Sequence, residues 1–137
     1  METPALFDPE AETRSLEDQR LKDEPVYRKQ VEYLFAHSEF YREKLAEAGF
    51  KTPESVGGLD DLHHLPFTVK DDLRASQAEH LPLGKQLAAP LEDIVRIYST
   101  SGTSGSPLYI PVTLGDLKRW IHTSNRSYYA AGIRPHH

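Results

Sequence analysis

The residues with the most chemistry to offer lie in one run, Ser99-Thr100-Ser101-Gly102-Thr103-Ser104-Gly105-Ser106, closed by Pro107. All eight are Ser, Thr or Gly, and six carry a hydroxyl. Glycines at 102 and 105 let the backbone turn and approach a ligand closely. Successive free N–H groups can then form a concave anion nest. The hydroxyls add donors that bring no charge. A polyphosphate needs such an array at its oxygens.

Sharper phosphate and nucleophile motifs do not fit. A Walker loop has four residues between its glycines and then Lys. Here two residues separate Gly102 from Gly105, and Ser106 follows. A nucleophile elbow needs Gly-x-Ser-x-Gly, and Gly102-Thr103-Ser104-Gly105 is one residue short. The plain alternative is a Ser/Gly linker. Against it, Ile94-Val95-Arg96-Ile97-Tyr98 feeds the loop and Leu108-Tyr109-Ile110-Pro111-Val112 leaves it. Both are β-branched or aromatic runs of the kind that form paired strands. Hairpin loops usually span about 2–5 residues, and longer ones tend to carry function.

Helices must position this hairpin. Pro25 suits a first helical position. From there Tyr27, Val31, Leu34, Ser38, Tyr41, Leu45 and Ala48 form one stripe at helical spacing, widened by Phe35. The spacing predicts a helix over about Pro25–Ala48, with Gly49 as its stop. Residues 50–66 read as loop with one helical turn at Leu59–Leu62. Thr68 with Asp71 has capping-box spacing for a second helix, reinforced by Asp72 at its positive end. Lys70 reads as a solvated helix residue, and Leu81 to Pro90 as irregular. Thr113 with Asp116 caps a helix over about Leu114–Ala131. Its stripe is Leu117, Ile121, Ser124, Tyr128 and Ala131, with Trp120 off centre, and Gly132 ends it. His63-His64 is adjacent in sequence, lacks a third ligand, and is not read as a metal site.

Composition sets the outer bounds. The chain has 137 residues, no Cys and a net charge of −5. Residues 1–24 hold eight acids and three bases, so the other 113 residues balance, with 13 of each. The acidity belongs to this stretch, which reads as a flexible acidic leader, residues 1–24, with a helical turn near Leu16–Leu21. No basic stripe points to nucleic acid, no run spans a bilayer, and Met1-Glu2-Thr3-Pro4 is no secretory signal. The cytoplasm is the expected compartment.

Four stretches together resemble a known family. Thr100-Ser101-Gly102-Thr103-Ser104-Gly105-Ser106-Pro107 is similar to the phosphate-binding loop of adenylate-forming (AMP-binding) enzymes. Three more point to the phenylacetate–coenzyme A ligases in particular. They are Phe40-Tyr41-Arg42-Glu43-Lys44-Leu45 ahead of Ala48-Gly49, Leu65-Pro66-Phe67-Thr68-Val69-Lys70-Asp71-Asp72-Leu73-Arg74, and Glu92-Asp93-Ile94-Val95-Arg96-Ile97. They run in the family's own order over roughly residues 26–135.

The resemblance implies an α/β fold. An N-terminal helical region is followed by a β-hairpin carrying the phosphate loop and then a further helix. Residues 25–137 would be the N-terminal portion of a larger adenylate-forming domain. It implies that Thr100, Ser101, Gly102, Thr103, Ser104 and Gly105 bind the phosphates of ATP, with Mg²⁺ as helper. The complete enzyme would activate a small aryl carboxylic acid as acyl-adenylate and pass it to coenzyme A.

Two positions depart from the pattern. The ligases usually carry Lys before the loop's proline, where Ser106 stands. The wider superfamily often has Lys or Arg after it, where Leu108 stands. The family's acyl pocket, adenine and ribose contacts and catalytic lysine lie far downstream, so the portion in hand implies no catalytic residue and no competence alone. An isolated hairpin is marginal in water. Its open edges would suit a second copy or a complementing chain. The rival readings are a non-enzymatic helical module docking through the 94–112 strand edge, and a small stand-alone nucleotide-binding protein.

Overall fold

A computed structural model describes residues 6–101 and 106–134. Helices dominate, and the described strands form one two-stranded antiparallel sheet. The order is α1 (Pro9–Glu12), α2 (Leu16–His37), α3 (Glu39–Glu47), α4 (Lys70–Glu79), β1 (Ile94–Ser99), β2 (Tyr109–Thr113) and α5 (Leu114–Ala130). Short 3₁₀ segments at Pro53–Val56, Leu59–His64 and Leu91–Asp93 lie between them.

The long first helix differs from expectation in two ways. It starts at Leu16, within the stretch read as leader, and not at Pro25. Ser15 caps it, its Oγ accepting from the Asp18 N–H at 3.1 Å, and Glu17 and Asp18 sit at the positive end of the dipole. Pro25 is tolerated inside because it lies on the exposed side, where water can satisfy the carbonyl left without an N–H donor. Side-chain bonds also fix this part of α2. Arg20 pairs with Asp60, Lys22 with Glu10 at 2.7 Å, and the Leu59 N–H donates to Glu24 Oε2 at 3.0 Å.

The second difference is a break at Ser38. Its N–H closes α2 on the Leu34 carbonyl at 2.9 Å, and its Oγ accepts from the Tyr41 N–H at 3.3 Å to open α3. The stripe nevertheless continues across the break: Val31, Ser38 and Leu45 are all buried. Gly49, at φ +97°, then ends α3, with the Phe50 N–H reaching back to the Leu45 carbonyl at 2.8 Å.

Helix α4 begins one residue later than the Thr68 cap predicts. Val69 is the capping residue, and Asp72 supplies the bond, its Oδ2 accepting from the Val69 N–H at 3.2 Å. The same carboxylate takes Lys44 Nζ at 2.6 Å, tying α4 to α3. The capping box of α5 forms as expected between Thr113 and Asp116, with both reciprocal bonds at 3.2 Å.

Strand pairing follows the sequence. Ile97 faces Pro111, Tyr98 faces Ile110 and Ser99 faces Tyr109, with an irregularity between Ile94 and Arg96. Pro111 has no N–H to give, which a two-stranded sheet tolerates. Trp120 stacks at a tilt on Tyr98, ring centroids 4.9 Å apart, and Val112 is buried. The α5 stripe is less covered than its spacing predicts. Ile121 is 51% exposed and Tyr128 56%; the contacts of this helix are with β2 and with the segment around α1. There Phe7 meets the rings of His122 and Tyr129, and Glu12 lies 3.5 Å from Arg126. Val95 and Ile97 are also about half exposed.

Two outcomes follow from this packing. Val56, 1% exposed, packs in the turn that meets α2. Val56→Ala should cost about 2 kcal/mol in urea unfolding, from the lost methyls and the cavity left behind. The Asp72 carboxyl is held below its ordinary range by Lys44 and then by the Val69 N–H. A lowered folded pKa stabilises above the unfolded value and fades as pH falls through the folded one. The gap in urea midpoint between wild type and Asp72→Asn should therefore be open near neutral pH. It should close as pH drops below the ordinary Asp value of about 3.9.

Candidate functional site

The site is built where β1 ends and β2 begins. The Thr100 N–H donates to the Leu108 carbonyl at 3.0 Å, and the Leu108 N–H donates to Thr100 Oγ1 at 3.1 Å. This reciprocal pair closes the loop at its neck. A free linker has no such closure. Ser101 and Ser106 stand exposed above the neck, one on each limb. Of the six residues expected to hold phosphate, Thr100 and Ser101 are among the described ones; the Thr100 N–H donates and its Oγ1 accepts at the neck, which leaves its O–H as a donor. Gly102, Thr103, Ser104 and Gly105 lie outside the described residues.

The far side of the neck is held by a residue the sequence reading did not single out. Gln77 on α4 is 6% exposed. Its Nε2 donates to the Pro107 carbonyl at 3.0 Å, and its Oε1 accepts from the Tyr109 N–H at 2.8 Å. Leu108, between them, is 5% exposed. Only a polar residue on a helix turn that otherwise faces the core could have signalled this from the sequence. Gln77 sits four positions after Leu73, so it shares that apolar face.

Helix α4 is itself anchored. Ser76, also 6% exposed, accepts from the Lys85 N–H at 2.9 Å. Lys85 Nζ reaches Glu39 at 2.6 Å and Glu43 at 3.6 Å on α3. The Glu39 bond raises the Lys85 pKa and lowers that of Glu39. Both lysines at the α3–α4 junction are thus already matched by carboxylates.

A cleft of about 560 Å³ opens from the foot of the loop. Tyr33, Tyr41, Leu73, Leu108 and Pro111 help to line it. Gln86 brings in an amide whose nitrogen and oxygen are both buried without a partner. Asp116 and Arg119 also line the cleft, whereas the groups offered at the neck itself are amides and hydroxyls. They can donate to anionic oxygens but bring no positive charge. Among the described residues no group of three or more His, Asp or Glu could hold a metal ion. None of the described helices is long and apolar enough to cross a membrane.

Comparison with known proteins gives this geometry a context. No protein-family model matches the chain. A phenylacetate-coenzyme A ligase of Thermus thermophilus is 39% identical over 130 residues, covering 95% of this chain and 28% of the relative. The phenylacetate-coenzyme A ligase of Pseudomonas putida is 35% identical over 130 residues, with the same two shares. That of Escherichia coli is 34% identical over 124 residues, covering 90% of this chain and 26% of the relative. Among solved structures, a 2-hydroxyisobutyryl-CoA ligase in complex with 2-HIB-AMP and CoA superposes with a TM-score of 0.87 at 31% identity. The match covers 96% of this chain and 28% of that one. The same ligase in its postadenylation state, with 2-HIB-AMP, gives 0.85 at 29% identity. The chain spans about a quarter of the length of the relatives it matches. By sequence and by fold it is a homologue of the phenylacetate–coenzyme A ligases of the adenylate-forming superfamily, corresponding to an N-terminal portion of them.

Proposed function

We propose that this chain is the phosphate-holding portion of an ATP-dependent acid–coenzyme A ligase, with a small aryl carboxylic acid as substrate. In that reaction a carboxylate oxygen attacks the α-phosphorus of ATP and pyrophosphate leaves. The thiol of coenzyme A then attacks the acyl carbon, and AMP leaves. Residues 100–105 receive the β- and γ-phosphates and steady the leaving pyrophosphate by hydrogen bonds.

The observation that supports this reading best is the closed neck between Thr100 and Leu108. It gives a Ser/Thr/Gly loop two fixed ends, as an anion nest requires. The chemistry of the donor set also fits a phosphate ligand. Neutral N–H and O–H donors suit its oxygens, and Mg²⁺ would enter with the phosphates, as it commonly does, and not through a protein carboxylate cage. Homology over 95% of the chain to ligases leaves the rival docking module without support.

Charge sets the affinity. Ser106 and Leu108 occupy the positions at which the resemblance leads one to expect a cation, and charge-assisted bonds are roughly twice as strong as neutral ones. Ser106→Lys should tighten pyrophosphate or ATP binding by about 1–2 kcal/mol in calorimetric titration at fixed salt. Gly102→Val should abolish binding, since a branched side chain obstructs the backbone's approach. Equal affinity in all three proteins would return the loop to the linker reading. The 137-residue chain alone should release no pyrophosphate above background from ATP, Mg²⁺ and phenylacetate. Release at an enzymatic rate would show that it needs no further ligase sequence.

A further inference from the structure

We propose that β1 offers its outer edge to a second copy of this chain, so that two hairpins join into one closed, four-stranded antiparallel sheet. The proposal is independent of the phosphate reading and uses none of the residues 102–105.

The two edges of the hairpin are not equivalent. Facing residues of an antiparallel ladder alternate between pairs that exchange hydrogen bonds and pairs whose backbone groups point outward. Thr100 bonds to Leu108, so Tyr98 and Ile110 form a bonding pair as well. Ile97 with Pro111, and Ser99 with Tyr109, are then the outward pairs. On β2 the outward groups are largely spent. Gln77 takes the Pro107 carbonyl at 3.0 Å and the Tyr109 N–H at 2.8 Å. Pro111 has no N–H, and the Thr113 N–H goes to Asp116. A strand arriving at that edge would find no free donor there. On β1, by contrast, the N–H and C=O groups of Ile97 and Ser99 have no hydrogen-bond partner among the described residues.

This open edge is its own complement. With a two-fold axis at Tyr98, Ile97 of each copy pairs with Ser99 of the other, and every open group finds a partner. The irregularity between Ile94 and Arg96 lies beyond that stretch. Charge selects the register. An axis at Arg96 would set two guanidinium groups directly opposite, which is destabilising. With the axis at Tyr98, Arg96 faces Thr100 of the other copy. Tyr98 then faces Tyr98, and each is already stacked on its own Trp120 with centroids 4.9 Å apart. The half-exposed Trp120 rings thereby join an aromatic cluster at the seam. The stretch from Ile97 to Ser99 has neither the proline nor the lysine that commonly protects a strand edge. Because the edge of β2 is blocked, pairing through β1 leaves no further edge open, and assembly stops at a closed dimer. A two-stranded sheet is marginal, and a sheet of twice that width is not. The seam is short, so association belongs to the weak, reversible class.

The test is sedimentation velocity of the full 137-residue chain over a wide range of concentration at fixed salt. Wild type, Ile97→Pro, Ile97→Lys and Leu91→Lys are compared. Ile97→Pro removes an outward N–H and no bond within the hairpin, because Ile97 faces Pro111 in an outward pair. Leu91→Lys adds the same charge as Ile97→Lys at an exposed position outside the strand. Wild type should pass from monomer to dimer as concentration rises. Both changes at Ile97 should raise the dissociation constant at least about tenfold, and Leu91→Lys should alter it less than about twofold. In wild type, exchange of the Ile97 and Ser99 amide protons should slow as the dimer forms, while the Tyr98 amide stays protected throughout. Emission of Trp120, the one tryptophan of the chain, should shift to the blue over the same range.

Wild type that stays monomeric would overturn the proposal and leave the edge to a strand of different sequence. So would a dimer that both Ile97 variants keep at wild-type affinity, since it must use another surface. Species larger than the dimer would contradict the single open edge. If Ile97→Pro fails to fold, Ile97→Lys and the amide exchange decide: Ile97 and Ser99 protons that exchange equally fast in monomer and dimer would rule the seam out.

Discussion

The structure turns on how the backbone of residues 107–109 is held. The Ser/Thr/Gly run joins β1 to β2, and the described residues at its two ends are held from both sides. On one side Thr100 closes the neck with both its N–H and its hydroxyl. On the other, Gln77 reaches across from α4. Four short hydrogen bonds, all around a leucine 5% exposed, fix the ends of the loop to a degree that its own composition cannot.

That grip is only as firm as α4, which explains why so much polar bonding is spent on the α3–α4 junction. Asp72 caps α4 and binds Lys44 of α3. Lys85 bonds Ser76 through its backbone and Glu39 through its side chain. Ser38, fully buried at the α2–α3 break, donates to the Lys85 carbonyl at 3.4 Å. The exposed ion pairs in this set contribute little individually. Their joint effect is to define where one face of α4 lies, and that face carries Gln77.

Much of this was legible in the sequence, for physical reasons that can be named. The hairpin was, because two β-branched runs flank a turn-rich loop. The Thr113–Asp116 cap and the Gly49 and Gly132 stops were, because each depends on residues within one turn. The start of α2 was not, since proline's preference for a first helical turn masked the Ser15 cap upstream. Nor was the Ser38 break: a serine in an apolar stripe fits an unbroken helix equally well until Lys85, 47 positions away, is seen to accept from it. Gln77 was illegible for the same reason, as its partners lie 30 and 32 positions on. Local chemistry wrote the elements, and long-range hydrogen bonds decided how the candidate site is held.

Charge bears on what such a site can do. The net charge of −5 resides in residues 1–24, and the rest of the chain balances. Two of its acids are matched from outside the stretch, Glu12 by Arg126 and Glu24 by Arg28, and Glu10 pairs with Lys22 and Arg14 within it. The Glu10 carboxyl is accordingly held below its ordinary range, first by Lys22. The acidic stretch therefore projects less repulsion than its composition suggests, and beyond a Debye length of about 8 Å salt removes much of the remainder. An approaching polyphosphate would meet neither a strongly repelling surface nor an attracting one. Long-range charge on this scaffold is therefore small, and the charge on which the phosphate reading turns is local, at position 106.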